Sequence, residues 1–424
     1  MRFALVNSVI LNGGDAGIVY GTCDAIRSLQ PTAEVLVFAH RATAAARYYP
    51  DLDLRPMVLD SWPASRLPRA LLRKSYSQRQ ALGLGTAAER RFVADIRGCD
   101  AVVYCGGGYL NDSYDMTFVS DLMRVTLSSG VPHMAYGHSV GPITKPQTAD
   151  ELRQLLNRFA IVTVRDEASR ALLQQIGVES QRVELLADAA LAMRTAETGS
   201  VPPADAAALR AIQDFKRSRA SPLVFISVRS WRFPGHADGP QRARRLHEQL
   251  VELVRTLLAQ TNWSICFVST CQGRPEYVHD DSVIAQEVVD DLGSATPRVM
   301  ISKHGFAPRT FPFLIGACAD VVISMRMHLT IYSLLAGVPF VAIAYEQKSV
   351  ELCRTLGIGQ YCEEAVDFTA ASLAPKAAEL HARRAEVRAA LERKRAELIP
   401  LSLRNATLLM QRCVEPGRGA RAAS

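Results

Sequence analysis

An arginine, an imidazole and a lysine gather around one pair of neighbouring apolar runs in this chain. Ser324-Met325-Arg326-Met327-His328 follows the run Asp320-Val321-Val322-Ile323, and the next run ends in Ala344-Tyr345-Glu346-Gln347-Lys348. This pattern places Arg326 and His328 at a strand end and helix start, with Lys348 at the end of the neighbouring strand. Clustered cations beside one titratable imidazole suit an anionic donor and a proton transfer. A lone histidine is more often structural, but in this company His328 reads as catalytic. Arg229 closes a further apolar run at Ser227-Val228-Arg229, and its fork matches phosphate or carboxylate bidentately. A surface salt bridge is the blander reading of Arg229, and the strongly apolar residues before it argue against that.

Three glycine-bearing turns accompany these residues. Asn12-Gly13-Gly14-Asp15 follows the first apolar run and opens a helix, where free N–H groups can meet an anion or a polar ligand. Asp15 either caps that helix or contacts a ligand, and the sequence leaves both open. Gly106-Gly107-Gly108 stands at the end of the run Ala101 to Cys105 and reads as a binding loop, since three glycines let a ligand approach the backbone. Gly137-His138-Ser139-Val140-Gly141-Pro142 again ends a strand. His138 is either a ligand contact or an ordinary histidine bonded to backbone.

The elements that must position these residues alternate along the chain. Strands are expected near 2–8, 34–38, 101–105, 132–137, 160–164 and 183–187, with helices such as 85–97, 116–129, 148–158 and 166–176 between them. Their runs lack polar alternation, as strands covered on both faces do. Alternation lapses from Arg194 to Pro222 and resumes with strands near 223–229, 264–269, 297–302, 320–324 and 339–344. This gives an α/β chain of two Rossmann-like domains. The first spans 1–195, a linker with a short polar helix 196–221, the second domain 222–373, helices 374–413, and a disordered tail 414–424.

At 424 residues the chain exceeds one hydrophobic core and suits two. Hydrophobic residues make up 48% and charged residues 21%, which excludes a disordered chain. The formal charge of +7 is not arranged as a stripe with interleaved aromatics, so no nucleic-acid partner is expected. Lys216 to Arg219 and Arg242 to Arg245 read as solvated faces, or as attraction to anionic substrates or an anionic membrane surface. Nine cysteines show neither disulfide nor metal spacing, and no metal site is expected. No apolar stretch approaches the ~20 residues of a membrane span, and Asn7 and Ser8 interrupt the opening run, so a cytoplasmic protein is expected.

Taken in order, these motifs resemble the polysaccharide pyruvyl transferase family. Arg326-Met327-His328, Ala336-Gly337-Val338-Pro339 and Tyr345-Glu346-Gln347-Lys348-Ser349 carry the resemblance, together with the amino-terminal and glycine motifs. In length, and in the Gly-His-Ser-Val-Gly-Pro and Ser269-Thr270-Cys271 segments, the colanic acid biosynthesis branch is the nearest. The family commonly has leucine where Met327 stands, a volume-conserving change. The resemblance implies a fold similar to the B-type glycosyltransferases, two domains facing a cleft. It also implies transfer of the pyruvyl group of phosphoenolpyruvate onto two sugar hydroxyls as a ketal, with no cofactor. It places the catalytic histidine at His328 and donor contacts at Arg229 and Arg326, with Lys348 in a less defined donor role. Asn12, Asp15, Gly106, Gly107, Gly108, His138, Ser139, Tyr345 and Glu346 are the expected acceptor or cleft residues. The acceptor is a saccharide, free or lipid-linked, and a lipid-linked one would bring the protein to the inner membrane face. The competing expectations are a B-type glycosyltransferase using a nucleotide sugar and, below it, a non-catalytic scaffold.

Overall fold

The computed structural model describes residues 1–61, 86–112, 116–293 and 296–416. The chain divides into two compact units. Unit 1 comprises Met1–Ile10, Ile18–Ala192 and the chain from Pro400, and unit 2 comprises Leu11–Gly17 and Met193–Ile399. The tail expected to be disordered lies, from residue 417 on, outside the described residues.

Unit 1 is built on β1 (Arg2–Ser8), β2 (Glu34–Ala39), β3 (Asp53–Pro56), β4 (Ala101–Tyr104), β5 (Gly107–Leu110), β6 (His133–Val140), β7 (Ile161–Val164) and β8 (Val183–Leu185). Their order is β3-β2-β1-β4-β6-β7-β8, with β5 paired to β6 off this path. Every pairing is parallel, as runs such as Phe3-Ala4-Leu5-Val6, fully buried on both faces, require. Helices such as Ala87–Arg97, opened by a Thr86/Glu89 capping box, cover the sheet.

Unit 2 repeats the plan with β9 (Leu223–Ser227), β10 (Ser264–Phe267), β11 (Val299–Ile301), β12 (Val321–Ser324), β13 (Phe340–Ala344) and β14 (Cys362–Glu364). The order β11-β10-β9-β12-β13-β14 reverses direction between β9 and β12, and at such a switch point open parallel sheets bind ligands. Here Ser324 pairs with Ser227, so the two strands end side by side.

The stretch expected as a linker holds the 17-residue helix Pro203–Arg219. That helix is bound into unit 2 through the buried carboxylate of Asp205. It accepts from the Ala307 amide at 3.0 Å and the Thr310 hydroxyl at 2.6 Å, and bonds His304 Nε2 at 2.7 Å. Ala-rich residues 374–413 are helical as expected, in Ala370–Ala382 and Arg384–Leu409. The second of these helices passes from unit 2 into unit 1 at Pro400. Within unit 1, Ser402 donates to the Asp188 carbonyl at 2.7 Å, and Asn405 Oδ1 accepts from the Thr163 hydroxyl at 2.5 Å.

Candidate functional site

Both arginines singled out from the sequence leave the sheet of unit 2 at its switch point. Arg229 stands two residues beyond Ser227 on β9, and Arg326 two residues beyond Ser324 on β12. Ser324 shapes the second turn: its hydroxyl donates to the Arg326 carbonyl at 2.9 Å and accepts from the Arg326 amide at 3.0 Å. The helix Met327–Ala336 starts there and carries His328, half-buried, in its first turn.

Arg326 is 5% exposed and meets Asp281, 4% exposed, through both arms of its fork. Nε donates at 2.7 Å and Nη2 at 2.6 Å, which leaves Nη1 outside the pair. Burial, the largest single influence, works to lower the Arg326 pKa, and Asp281, together with Cys271 and Tyr345, outweighs it, holding the pKa well above its ordinary value. Asp281 opens its own helix, Asp281–Asp290, and also accepts from the Ser269 hydroxyl.

Arg229 has no carboxylate partner among the described residues. Its guanidinium lies 4.5 Å from the Tyr345 ring centroid and 5.2 Å from that of Trp231, and it donates to the Tyr345 hydroxyl. The two rings stand 4.8 Å apart, so Arg229 is held by aromatic faces. Lys348, by contrast, pairs with Glu346 at 2.7 Å. Of the three cations read from the sequence, two therefore have their charge compensated, and Arg229 carries the uncompensated one.

Asn12, Gly13, Gly14 and Asp15 belong to unit 2. Gly13 N donates to the Thr270 carbonyl at 3.0 Å, Tyr332 donates to the Gly13 carbonyl at 2.9 Å, and the buried Arg274 reaches the Leu11 carbonyl at 3.0 Å. Asn12 Oδ1 accepts from Gly14 N at 2.9 Å, so Asn12 serves the helix start in the manner of a cap. A Cβ on Gly14 would stand 2.4 Å from His328 Nδ1, and one on Gly17 2.1 Å from the Tyr332 hydroxyl oxygen. The absence of side chains at these positions is what lets the loop lie against the His328 helix. Asp15, in the first turn of Gly13–Leu29, lies close enough to Cys271 and Tyr277 to help raise their pKa values, after burial, which is the larger cause in both.

Gly106, Gly107, Gly108, His138 and Ser139 belong to unit 1. The glycine loop is in part a strand, since Gly107 and Gly108 open β5 and Gly107 pairs with His138. A Cβ on Gly106 would fall 2.4 Å from the Tyr136 carbonyl, and Gly107 adopts φ 143°, so internal packing accounts for glycine at both. His138 is fully enclosed, with Nε2 3.2 Å from the Tyr104 carbonyl. Burial pushes its pKa down to about 4, with Arg165 adding to the fall. Ser139 donates to Asp166 at 2.6 Å and accepts from Arg165 Nε at 2.8 Å, and Arg165 in turn pairs with Asp188. Within unit 1 both motif side chains thus have interior partners.

Reading the sequence missed Asp281, Trp231, Tyr277 and Arg274. Trp231 was within reach, two residues after Arg229, whereas Asp281 and Arg274 bond partners far along the chain. Among the described residues no three His, Cys, Asp or Glu side chains gather as a metal-ligand set, and no helix is long and apolar enough to cross a membrane.

Residues 12–347, which hold every one of these motifs but the end of the last, match the family described as polysaccharide pyruvyl transferase. The chain belongs to the polysaccharide pyruvyl transferase family. A curated relative is the amylovoran biosynthesis protein AmsJ of Erwinia amylovora, 25% identical over 288 residues, covering 68% of this chain. The match spans 66% of that relative, just under two thirds of its length. Two solved structures share the fold at low identity. S. aureus MnaA in its UDP co-structure gives a TM-score of 0.60 at 10% identity over 96% of each chain. Anabaena HepE in complex with UDP-glucose gives 0.57 at 13% identity over 97% of this chain and 99% of that one. The two-domain α/β architecture similar to the B-type glycosyltransferases, expected from the sequence, is the one found.

Proposed function

We propose that the protein transfers the pyruvyl group of phosphoenolpyruvate onto two hydroxyls of a saccharide in exopolysaccharide synthesis, forming a ketal. The observation that carries this reading is the family match over residues 12–347, which spans Arg229, Arg326 and His328. The amylovoran biosynthesis protein supports an exopolysaccharide precursor as the acceptor.

Phosphoenolpyruvate presents a phosphate and a carboxylate on one small frame. Arg229, unpaired with carboxylate and steadied by Trp231 and Tyr345, is suited to one of these anions. Arg326, fixed by Asp281, offers its remaining Nη1 as a second donor of set direction. Lys348 contributes less charge, because Glu346 takes its ammonium. His328, in the first turn of its helix beside Gly14, serves proton transfer near neutral pH. No cofactor or metal is part of this scheme. A lipid-linked acceptor would bring the protein to an anionic membrane face, for which exposed Arg232, Arg244 and Arg245 are suited.

Phosphate release from phosphoenolpyruvate tests the reading, measured with free p-nitrophenyl hexosides and with an extracted lipid-linked oligosaccharide fraction. Acceptor-dependent release, lost in His328→Ala, is expected. The fold of the UDP-bound neighbours favours one other reading, a glycosyltransferase. Thermal stabilisation by UDP-glucose but not by phosphoenolpyruvate, with no phosphate release, would replace the first reading with the second.

A further inference from the structure

The ketal chemistry asks for more proton handling than one imidazole provides. Two C–O bonds form at C2 of phosphoenolpyruvate, and the C2–O bond to phosphate breaks, the electron pair leaving with phosphate. The two hydroxyls release two protons, of which one ends on the C3 methylene carbon and the other leaves with phosphate. A group that protonates carbon and a group that deprotonates a hydroxyl are needed in one turnover.

A second imidazole is carried by the segment that Asp281 ties to Arg326. His328 lies two residues after Arg326, and His279 lies two residues before Asp281, so the Arg326–Asp281 pair joins the two segments at buried bonds of 2.6 and 2.7 Å. The loop that bears His279 is firmly held at its base. Gln272 bonds the Ser302 and His304 carbonyls at 3.0 and 2.9 Å, Arg274 bonds the Leu11 and Phe306 carbonyls at 3.0 Å each, and Cys271 Sγ lies 3.4 Å from Asn12 Oδ1. The same loop thus touches both the Asn12–Asp15 turn and the strand end that leads to His328. At its tip Tyr277 and His279 form an edge-on pair with centroids 5.7 Å apart. Arg229, Arg326 and Asp281 are the charged groups that face His279.

We infer that His279 is a second proton-handling residue of this site, accepting the proton of an attacking sugar hydroxyl while His328 manages proton delivery to C3. The inference rests on the pyruvyl-transfer reading above. Partial enclosure of the ring, then the charges of Arg229 and Arg326, lower the His279 pKa below its ordinary value, so the ring is neutral and able to accept a proton at neutral pH. Its side chain is exposed, which lets small molecules from solution reach the position.

The test uses the full chain, phosphoenolpyruvate and the two acceptor sets, comparing wild type with His279→Ala and His279→Gln across pH. Both variants should lose about 10²-fold or more in kcat, at the low end for a positioned base. They should also lose the acid-side fall in rate that protonation of His279 produces. Added imidazole should restore turnover to His279→Ala, in proportion to its unprotonated fraction, and not to His328→Ala. Variants within twofold of wild type that keep the acid-side fall would overturn the inference and leave pyruvyl transfer standing. A wild type that releases no phosphate with any acceptor overturns the parent reading, and this one with it.

Discussion

Gly14 and His328 are a fitted pair: a Cβ on Gly14 would stand 2.4 Å from Nδ1, 2.8 Å from Cγ and 2.9 Å from Cβ of the histidine. Turning the ring does not relieve such a clash, because it reaches the histidine's own Cβ. The Tyr332 bond to the Gly13 carbonyl and the Thr270 bond to Gly13 N hold the loop in place from both sides. Gly14→Ala should therefore displace the imidazole while costing stability only the ~1–3 kcal/mol of an overpacked contact. The expected result is a folded variant by circular dichroism with acceptor-dependent phosphate release lowered at least tenfold. Wild-type kcat in Gly14→Ala would show that His328 does not need this position.

The Arg326–Asp281 pair allows a sharper stability test. Removing one member of a buried ion pair strands the other charge, at about 3–5 kcal/mol, whereas replacing both by apolar residues of similar volume is often neutral. Asp281→Ala should lower the urea midpoint, with an unfolding free energy reduced by about 3–5 kcal/mol. The double variant Asp281→Leu with Arg326→Met should regain most of the loss and yet stay inactive. A midpoint for Asp281→Ala indistinguishable from wild type would mean that the pair carries little of the fold of unit 2.

Arg229 depends on its aromatic neighbours. Tyr345→Phe removes the hydroxyl that accepts from the guanidinium and keeps the ring, while Trp231→Leu removes one face of the stack. Cation–π support of ~0.5–2 kcal/mol predicts a KM for phosphoenolpyruvate raised by about 2- to 30-fold in Trp231→Leu. The change should be smaller in Trp231→Phe, with kcat close to wild type in both. A fall in kcat at unchanged KM would instead place Trp231 in the chemical step.

Legibility in the sequence followed physical range. Buried parallel strands announce themselves as short unbroken apolar runs, and each strand expected from one, such as β1, β9 and β12, is found within a few residues of its expected bounds. The strands Asp53–Pro56, Gly107–Leu110 and Cys362–Glu364 were not anticipated, because polar or glycine residues interrupt their apolar pattern. Arg326 and His328 were visible because one strand end carries both. Asp281 was not, since only folding brings it to Arg326, and an Asp heading a helix reads as a cap. The glycines at 13, 14 and 17 were read for the turn they permit, while the structure gives Gly14 and Gly17 a second reason in His328 and Tyr332.

Acid stability of unit 1 follows from two enclosed histidines. Burial, the largest cause in each case, pushes both His133 and His138 down to about 4 from an ordinary value of 6.5. Unfolding returns them to their ordinary value, so between about pH 4 and 6.5 the unfolded chain binds more protons than the folded one. Stability must then rise with pH across that window, and is lost as pH falls from 6.5 toward 4. His279 and His381, also lowered, act in the same direction on unit 2, whereas Asp112 of unit 1, lowered from 3.8, loses its contribution only at more acid pH. Thermal melts from pH 7.5 to 4 should show a falling Tm, with a shallower slope in His133→Gln and in His138→Gln than in wild type. Because each substitution keeps a polar side chain of similar reach and removes only the titration, a slope unchanged in both variants would mean that neither ring titrates as its burial requires.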